Sequence, residues 1–200
     1  YEPHRVDPLI DLRFFRSAPF SGATAVAVFA FAGLGGFLFL NTIYLQEVRG
    51  FSALHAGLCT VPMAAMTLVF APYSGRLVGT GRARTSLMVA GLALATGPAL
   101  LLTLTADSSI WRLLIAYTIF GIGFGLVNPP ITNAAVSGMP RAQAGVAASV
   151  ASTSRQIGQS LGVAVTGSIV SSRLHGTVAR GFAAASHAGW WVLVGCGLGV

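Results

Sequence analysis

The sequence has very few charged side chains and no lysine. Its 200 residues include 12 basic and 5 acidic side chains, so that charged residues make up 8% of the chain, against about 25% in an average soluble domain. Hydrophobic residues make up 54%, and the mean hydropathy is +0.75. Too few charges are present to cover the surface of a soluble domain, and the chain is too apolar to be disordered. The composition therefore indicates an integral membrane protein.

The sequence is also poor in residues that hold metals, cofactors or nucleic acids. Its two cysteines, Cys59 and Cys196, lie inside apolar stretches, which does not favour a disulfide or a metal site. The arginines are dispersed between apolar stretches and form no basic face of the kind that binds nucleic acid. HExxH, GxSxG and Walker motifs are absent. We therefore expect no metal, no cofactor, no nucleic-acid partner and no enzymatic activity.

Long stretches without charge divide the chain into candidate helices. Residues 17–46, 51–75, 85–106 and 113–140 carry no charge, and 142–172 carry only Arg155, whereas a membrane-spanning helix needs about 20 mainly apolar residues. We predict an all-α, polytopic transmembrane bundle of six helices, the last of them truncated, after a linker at the membrane interface (residues 1–17). The predicted helices are 18–45, 52–77, 85–105, 110–138, 142–171 and 188–200. Because the chain begins with Tyr1 and ends inside an apolar stretch, we expect a piece of a longer protein.

The arginines between these helices predict the orientation. One side of the predicted bundle carries Arg5, Arg13, Arg16, Arg76, Arg82, Arg84 and Arg141, and the other carries Arg49, Arg112, Arg173 and Arg180. Cytoplasmic loops of membrane proteins carry an excess of basic residues. The side that includes residues 1–17 is therefore predicted to be cytoplasmic, in a multi-pass protein of the cell membrane.

Arg155 lies near the middle of the fifth predicted helix. An arginine at the centre of a spanning helix costs about 2.5–3.5 kcal/mol on insertion scales, so it should face a cavity or a partner. Ser152, Gln156 and Gln159 recur at helical spacing on a polar face that Arg155 borders. This pattern predicts a helix that lines a water-filled pathway. Alternatively, Arg155 caps backbone carbonyls or pairs with a carboxylate elsewhere in the protein.

The fourth predicted helix contains a proline pair. Pro129 and Pro130 lack amide hydrogens, which frees the carbonyls of Gly125 and Leu126. Broken helices are tolerated at membrane depth where they line a cavity, so we predict a kink or hinge at Gly125, Pro129 and Pro130, with the Asn128 amide offered to a substrate. Alternatively, the kink is passive, and neighbouring helices supply hydrogen-bond donors to the freed carbonyls.

Four segments together resemble a known family. They are PLIDLRFFR (8–16), YLQEVRGFSALHAGL (44–58), GRLVGTGRAR (75–84) and RQIGQSLGVA (155–164). In this order and spacing they resemble the C-terminal half of a major facilitator superfamily transporter of the fourteen-helix drug:proton antiporter branch. The third segment is similar to the cytoplasmic loop motif of the superfamily, with Gly75, Leu77, Gly81 and Arg82 at matching positions. It departs from the motif at Gly79, where an acid is expected, and at Thr80, where a basic residue is expected.

The resemblance implies a secondary active transporter that exports hydrophobic or cationic drugs and antibiotics in exchange for protons, by alternating access. It implies a partner half N-terminal to this chain, with substrate sites between the halves. The loop, with Arg82 and Arg84, would act as a cytoplasmic gating element. Because no carboxylate lies inside a predicted helix, the proton-carrying acid is expected outside this chain. The alternatives are a metabolite or organic-anion importer or symporter on the same fold, and a membrane scaffold that transports nothing.

Overall fold

The computed structural model describes residues 17–137 and 144–200. Within these ranges the chain forms helices and no strand. The helices are α1 (Ala18–Ile43), which continues into a π-helical turn (Tyr44–Val48), α2 (Ala53–Cys59), α3 (Val61–Gly79), α4 (Ala83–Ala99), α5 (Ile110–Val136), α6 (Ala144–Arg173) and α7 (Val178–Leu198). The predicted interfacial linker, including Arg5, Arg13 and Arg16, lies outside the described residues, as does Arg141.

The bundle is built from neighbouring helix pairs. The α1 helix packs along α6, and α5 packs against both α3 and α4, while α7 contacts α4, α6 and α1. Three helical segments of the described chain are long and apolar enough to cross a membrane: Ala18–Val48, Ala53–Gly79 and Ile110–Ala135. The second of these is at the periphery, because only 11% of its apolar window is buried, against 44% and 50% for the other two.

An aromatic cluster forms the core where α1, α5 and α7 meet. The Phe37 ring is stacked on Phe120 with centroids 4.0 Å apart, and it makes edge contacts with Tyr117 at 5.6 Å and with Trp190 at 5.8 Å. All four side chains are buried. Offset and edge-on ring pairs of this kind add about 0.5–1.5 kcal/mol beyond their area burial.

Prolines make the bounds of two helices differ from the predicted ones. The helix predicted over 52–77 is divided at Thr60, whose amide bonds to the Gly57 carbonyl, and Pro62 follows in the first turn of α3. The helix predicted over 85–105 ends at Ala99. Pro98 lies in its last turn, and the next amides bond three residues back, from Leu101 to the Pro98 carbonyl.

The last helix begins earlier in the structure than the predicted residue 188. Helix α7 has 21 residues and begins at Val178. The apolar-run criterion missed its first turns because Arg180 and His187 interrupt the hydrophobic pattern. His187 donates from Nε2 to the Leu104 carbonyl in the α4–α5 connection at 2.9 Å, so the missed turns lie beside the connections at one end of the bundle.

The two ends of the bundle carry different arginines. Arg76, Arg82 and Arg84 lie around the α3–α4 turn, and we call this the Arg82 end. At the opposite end, the Arg49 end, the Arg49 guanidinium donates from Nη1 to the carbonyls of Ala106 at 3.2 Å and Ser108 at 2.7 Å. This contact joins the end of α1 to the α4–α5 connection.

Candidate functional site

Helix α6 has a buried edge and a polar, exposed face. Ser149, Ser152, Gln156 and Gln159 are exposed, as is Gly145. An open depression of about 570 Å³ runs along this face and is lined by Gln156, Gln159, Ser160, Val163 and Ala164. The structure therefore exposes the residues of the predicted polar face, and two of them, Gln156 and Gln159, line this depression.

The orientation of α6 is set by glycines that touch α1. A Cβ atom added at Gly158 would come within 2.5 Å of the Val28 carbonyl oxygen, and one at Gly162 would collide with the Ala32 backbone. Gly35 of α1 approaches the backbone of Gln159 in the same way. Small residues allow such close backbone approach in lipid, where packing replaces the hydrophobic driving force between helices. This crossing turns Gln156 and Gln159 away from α1.

Arg155 leaves α6 beside this crossing and reaches α5. Its Nη2 donates a hydrogen bond of 2.6 Å to Thr132 Oγ1, and its Cζ lies 5.6 Å from the centroid of the Phe31 ring of α1. Its Nε is buried and has no hydrogen-bond partner among the described residues. A buried donor without a partner costs about 1–3 kcal/mol, and more when the group is charged. The guanidinium therefore contacts one ring face and one hydroxyl, and its Nε donor makes no hydrogen bond to the described residues.

Thr132 connects Arg155 to Asn128. The Thr132 hydroxyl donates to the backbone carbonyl of Asn128 at 3.1 Å, and the Asn128 side-chain amide donates to the Phe124 carbonyl at 3.0 Å. The hydrogen bonds from Arg155 thus reach the backbone of Asn128, whose side chain bonds separately to Phe124. Thr132 itself was missed, although it lies one helical turn after Asn128 and so faces the same way.

Neighbouring helices supply hydrogen-bond donors to the backbone carbonyl that Pro130 frees. Helix α5 continues through Pro129 and Pro130 to Val136. The Leu126 carbonyl, which Pro130 leaves without its helical donor, accepts from Ser74 Oγ of α3 at 2.7 Å and from Ser86 Oγ of α4 at 3.0 Å. The two hydroxyl oxygens are also 2.8 Å apart, and both residues are buried. At Pro130 the arrangement matches the passive alternative, in which side chains of other helices donate hydrogen bonds to the freed carbonyl.

Gly125 lies at a close contact rather than beside open space. A Cβ atom at Gly125 would lie 2.9 Å from the Thr67 carbonyl oxygen and 3.0 Å from the Phe70 Cβ, both on α3. The structure therefore gives Gly125 a packing role between α3 and α5. A hinge at Gly125, Pro129 and Pro130 stays a prediction.

A second polar pair in the core was not predicted from the sequence. The Tyr117 hydroxyl of α5 donates to Asn41 Oδ1 of α1 at 2.7 Å, and Asn41 Nδ2 donates to the Phe37 carbonyl at 2.8 Å. Both side chains are buried. An asparagine inside the longest charge-free stretch was the available signal, because a buried amide in a membrane helix needs a partner.

The match to known sequences decides the family. The sequence profile of the Major Facilitator Superfamily matches residues 2–163. The chain belongs to this superfamily. The predicted resemblance is thereby confirmed, and with it the fold class of a polytopic, all-α bundle that forms part of a major facilitator fold.

The relatives of this superfamily member carry names of drug resistance and export. It is 33% identical over 172 residues to "Multidrug resistance protein Stp" of Mycobacterium tuberculosis, covering 86% of this chain and 32% of Stp. It is 36% identical over 174 residues to the "Tetracenomycin C resistance and export protein" of Streptomyces glaucescens, covering 86% and 32%. It is 27% identical over 170 residues to "Quinolone resistance protein NorB" of Staphylococcus aureus, covering 84% and 36%. The chain thus spans about a third of the length of these relatives.

A solved structure supports the fold. The crystal structure of tetrameric PepTSo2 superposes with a TM-score of 0.73 at 21% identity, over 90% of this chain and 38% of that chain. At this identity the likeness concerns the major facilitator fold alone.

The loop motif of this superfamily member forms a tight turn. Gly81 has φ +77°, a left-handed conformation that glycine adopts without steric cost. The Leu77 carbonyl accepts from the Arg82 amide at 2.8 Å and from Thr80 Oγ1 at 3.0 Å. Thr80, which stands where the motif expects a basic residue, therefore caps the end of α3. Gly75, Arg82 and Arg84 are exposed around this turn, and the gating role of the loop stays a prediction.

Proposed function

We propose that this chain is the C-terminal helical half of a secondary active exporter of drugs or antibiotics. The observation that carries the proposal is the exposed polar face of α6, with the guanidinium of Arg155 at its edge, in a member of a transporter superfamily. The names of the relatives, which refer to multidrug and antibiotic resistance or export, support the substrate class. The protein would move its substrate without covalent chemistry.

The pathway would lie between this half and a preceding N-terminal half. The residues that we propose to line it are Arg155, Gln156, Gln159, Ser152 and Asn128. Alternating access would then expose the pathway first to one side of the membrane and then to the other. The two carboxylates of the described ranges, Glu47 and Asp107, both lie at the Arg49 end. A proton-coupled mechanism would therefore need an acid at membrane depth elsewhere in the protein.

Transport by the full-length protein in liposomes tests this proposal. With a proton gradient imposed, a cationic dye should be moved against its own gradient, and collapsing the proton gradient should stop the movement. Dye movement that is insensitive to the proton gradient would contradict proton coupling. The absence of any dye movement by a protein that folds correctly would contradict the exporter proposal, and it would favour a scaffold if organic anions are not moved either.

A second candidate is the transport of organic anions on the same fold. The specific observation in its favour is Arg155, whose guanidinium has an unused donor and no acidic partner on the described helices. Gradient-driven uptake of an organic anion, without movement of a cationic dye, would favour this candidate over drug export.

We propose that the Arg82 end faces the cytoplasm of the cell. Thr80 at this end and Thr177 at the Arg49 end are both exposed, which makes them a matched pair for labelling. In a background lacking Cys59 and Cys196, a membrane-impermeant maleimide added to intact cells should label Thr177→Cys and spare Thr80→Cys. Labelling of Thr80→Cys alone would reverse the proposed orientation.

A further inference from the structure

We propose that the guanidinium of Arg155 is a carboxylate-binding site within the transport pathway. The proposal rests on the proposed transport function and names the chemical group that this position receives. The carboxylate has two possible sources, a substrate that carries an acid or an acidic side chain of the same protein, and the experiment below distinguishes them.

The guanidinium of Arg155 has fewer partners than it can bind. A guanidinium has five N–H donors in a planar fork, and here one nitrogen contacts Thr132 and the ring face contacts Phe31. The Nε is buried without a partner among the described residues. A planar fork with unused donors matches the two oxygens of a carboxylate, which it binds with two parallel hydrogen bonds.

The described helices carry no acidic side chain close to Arg155. Glu47 lies in the π-helical turn after α1, and Asp107 lies in the α4–α5 connection, both at the Arg49 end. Arg155 lies in the interior of α6 and contacts Thr132, which is close to the Arg82 end of α5. Ionisable residues at membrane depth pair with one another or line a pathway. An acid that pairs with Arg155 would therefore come from outside these helices.

The surroundings of Arg155 are open toward the polar face of α6. Arg155 is only partly buried, its acceptor Thr132 is exposed, and Gln159 is exposed one turn further along α6. A carboxylate on the polar face could reach the part of the guanidinium that is not buried, whereas Nε is covered. Because Nη2 carries two hydrogens, a carboxylate could accept from one while Thr132 accepts from the other, and the Phe31 ring would keep the guanidinium plane in place.

The chemistry also bears on the cationic drugs of the proposed function. A free guanidinium beside the pathway would repel a cation bound close to it. Export of a cation therefore calls for an acid that neutralises Arg155, whereas a substrate bearing its own carboxylate would neutralise it directly. Both cases place a carboxylate on the same guanidinium.

The experiment measures binding of two probes to the purified full-length protein. The probes are a rhodamine methyl ester and its free carboxylic acid, which share one fluorophore and differ in the carboxylate. Their dissociation constants are measured by fluorescence anisotropy for wild type, Arg155→Gln and Arg155→Lys. Arg173→Gln is the matched control, because it removes the same charge from the exposed end of the same helix.

Each source predicts its own result. If the substrate supplies the carboxylate, Arg155→Gln weakens binding of the acid about ten-fold or more and leaves the ester nearly unchanged, while Arg155→Lys is intermediate. If the protein supplies it, Arg155→Gln weakens both probes, and changing one membrane-buried Asp or Glu of the remaining chain to its amide restores binding in the Arg155→Gln background. Arg173→Gln should leave both constants unchanged.

Two results would overturn the proposal. The first is binding of both probes to Arg155→Gln within about two-fold of wild type. The second is equal weakening of both probes that no neutralised acid restores, because this would leave Arg155 with a packing role only. The measurement concerns binding and not movement, so a failure of the exporter proposal would appear separately, as intact probe binding without transport.

Discussion

Arg155 on α6 donates a hydrogen bond of 2.6 Å to the hydroxyl of Thr132 on α5. The contact joins two helices that meet along only a small part of their length, since α6 packs mainly on α1, and α5 packs mainly on α3 and α4. It also brings the interior arginine of α6 to the proline-containing end of α5. The consequences of this contact, and of three others that hold the bundle together, can be measured.

Removing the acceptor of Arg155 should destabilise the protein. Thr132→Val keeps the shape of the side chain but leaves Nη2 without its partner, and a hydrogen bond to a charged group contributes about 1.5–3 kcal/mol. We expect a lower Tm of the purified full-length protein and weaker drug export. Thr132→Ser, which keeps the hydroxyl, is the control and should stay close to wild type. Equal Tm values for the two variants would mean that the hydroxyl contributes nothing.

The α1–α6 crossing should not tolerate a methyl group. In Gly162→Ala the new Cβ would collide with the Ala32 backbone, and overpacking of this kind costs about 1–3 kcal/mol. We expect a marked loss of folded protein on size-exclusion chromatography. Gly145→Ala on the same helix is the matched control, because no heavy atom lies within 4 Å of its added Cβ. If both variants yield wild-type amounts of folded protein, the close approach at Gly162 does not limit packing.

The buried Asn41–Tyr117 pair should respond differently to single and double substitution. Tyr117→Phe leaves Asn41 Oδ1 without the donor that it has at 2.7 Å, and an unsatisfied buried acceptor costs about 1–3 kcal/mol. Replacing both partners by apolar groups removes that penalty. We therefore expect the Tm of Asn41→Leu/Tyr117→Phe to exceed that of Tyr117→Phe alone. A double variant that is less stable by the sum of the two single effects would contradict this coupling.

Sequence patterns predicted those features that depend on spacing within one helix. The polar face of α6 follows from the recurrence of Ser152, Gln156 and Gln159 at three- and four-residue intervals. This pattern repeats along a helix and is visible without a neighbour. The number of long helices followed in the same way from the placement of charge.

Features that depend on two helices meeting could not be predicted from one sequence. Asn41 and Tyr117 are 76 positions apart, and Arg155 and Thr132 are 23 apart; which residues become partners depends on the crossing of the helices. The start of α7 was missed for another reason. An apolar run marks the part of a helix that lipid or protein covers, whereas the turns from Val178 onward carry Arg180 and His187 beside the end of the bundle.

Pro130 frees the Leu126 carbonyl, and two serine hydroxyls take the place of the missing amide. The loss of the amide and its replacement by the serines can therefore be measured separately. Ser74 and Ser86 both reach the Leu126 carbonyl, and their two hydroxyl hydrogens serve three contacts. Either serine can therefore replace the other in part. We expect Ser74→Ala and Ser86→Ala to lower the Tm slightly, and the double variant to lower it by more than the sum, because the carbonyl is then buried without a donor.

Restoring the amide should rescue the double variant. In an α-helix the amide of residue 130 bonds to the carbonyl of residue 126, so Pro130→Ala supplies the donor that both serines had replaced. Pro129→Ala is the matched control, since its amide would serve Gly125 and leave Leu126 unsatisfied. We expect Pro130→Ala, and not Pro129→Ala, to raise the Tm in the Ser74→Ala/Ser86→Ala background. Equal rescue by both prolines would mean that general straightening of α5, and not the Leu126 carbonyl, governs stability at this position.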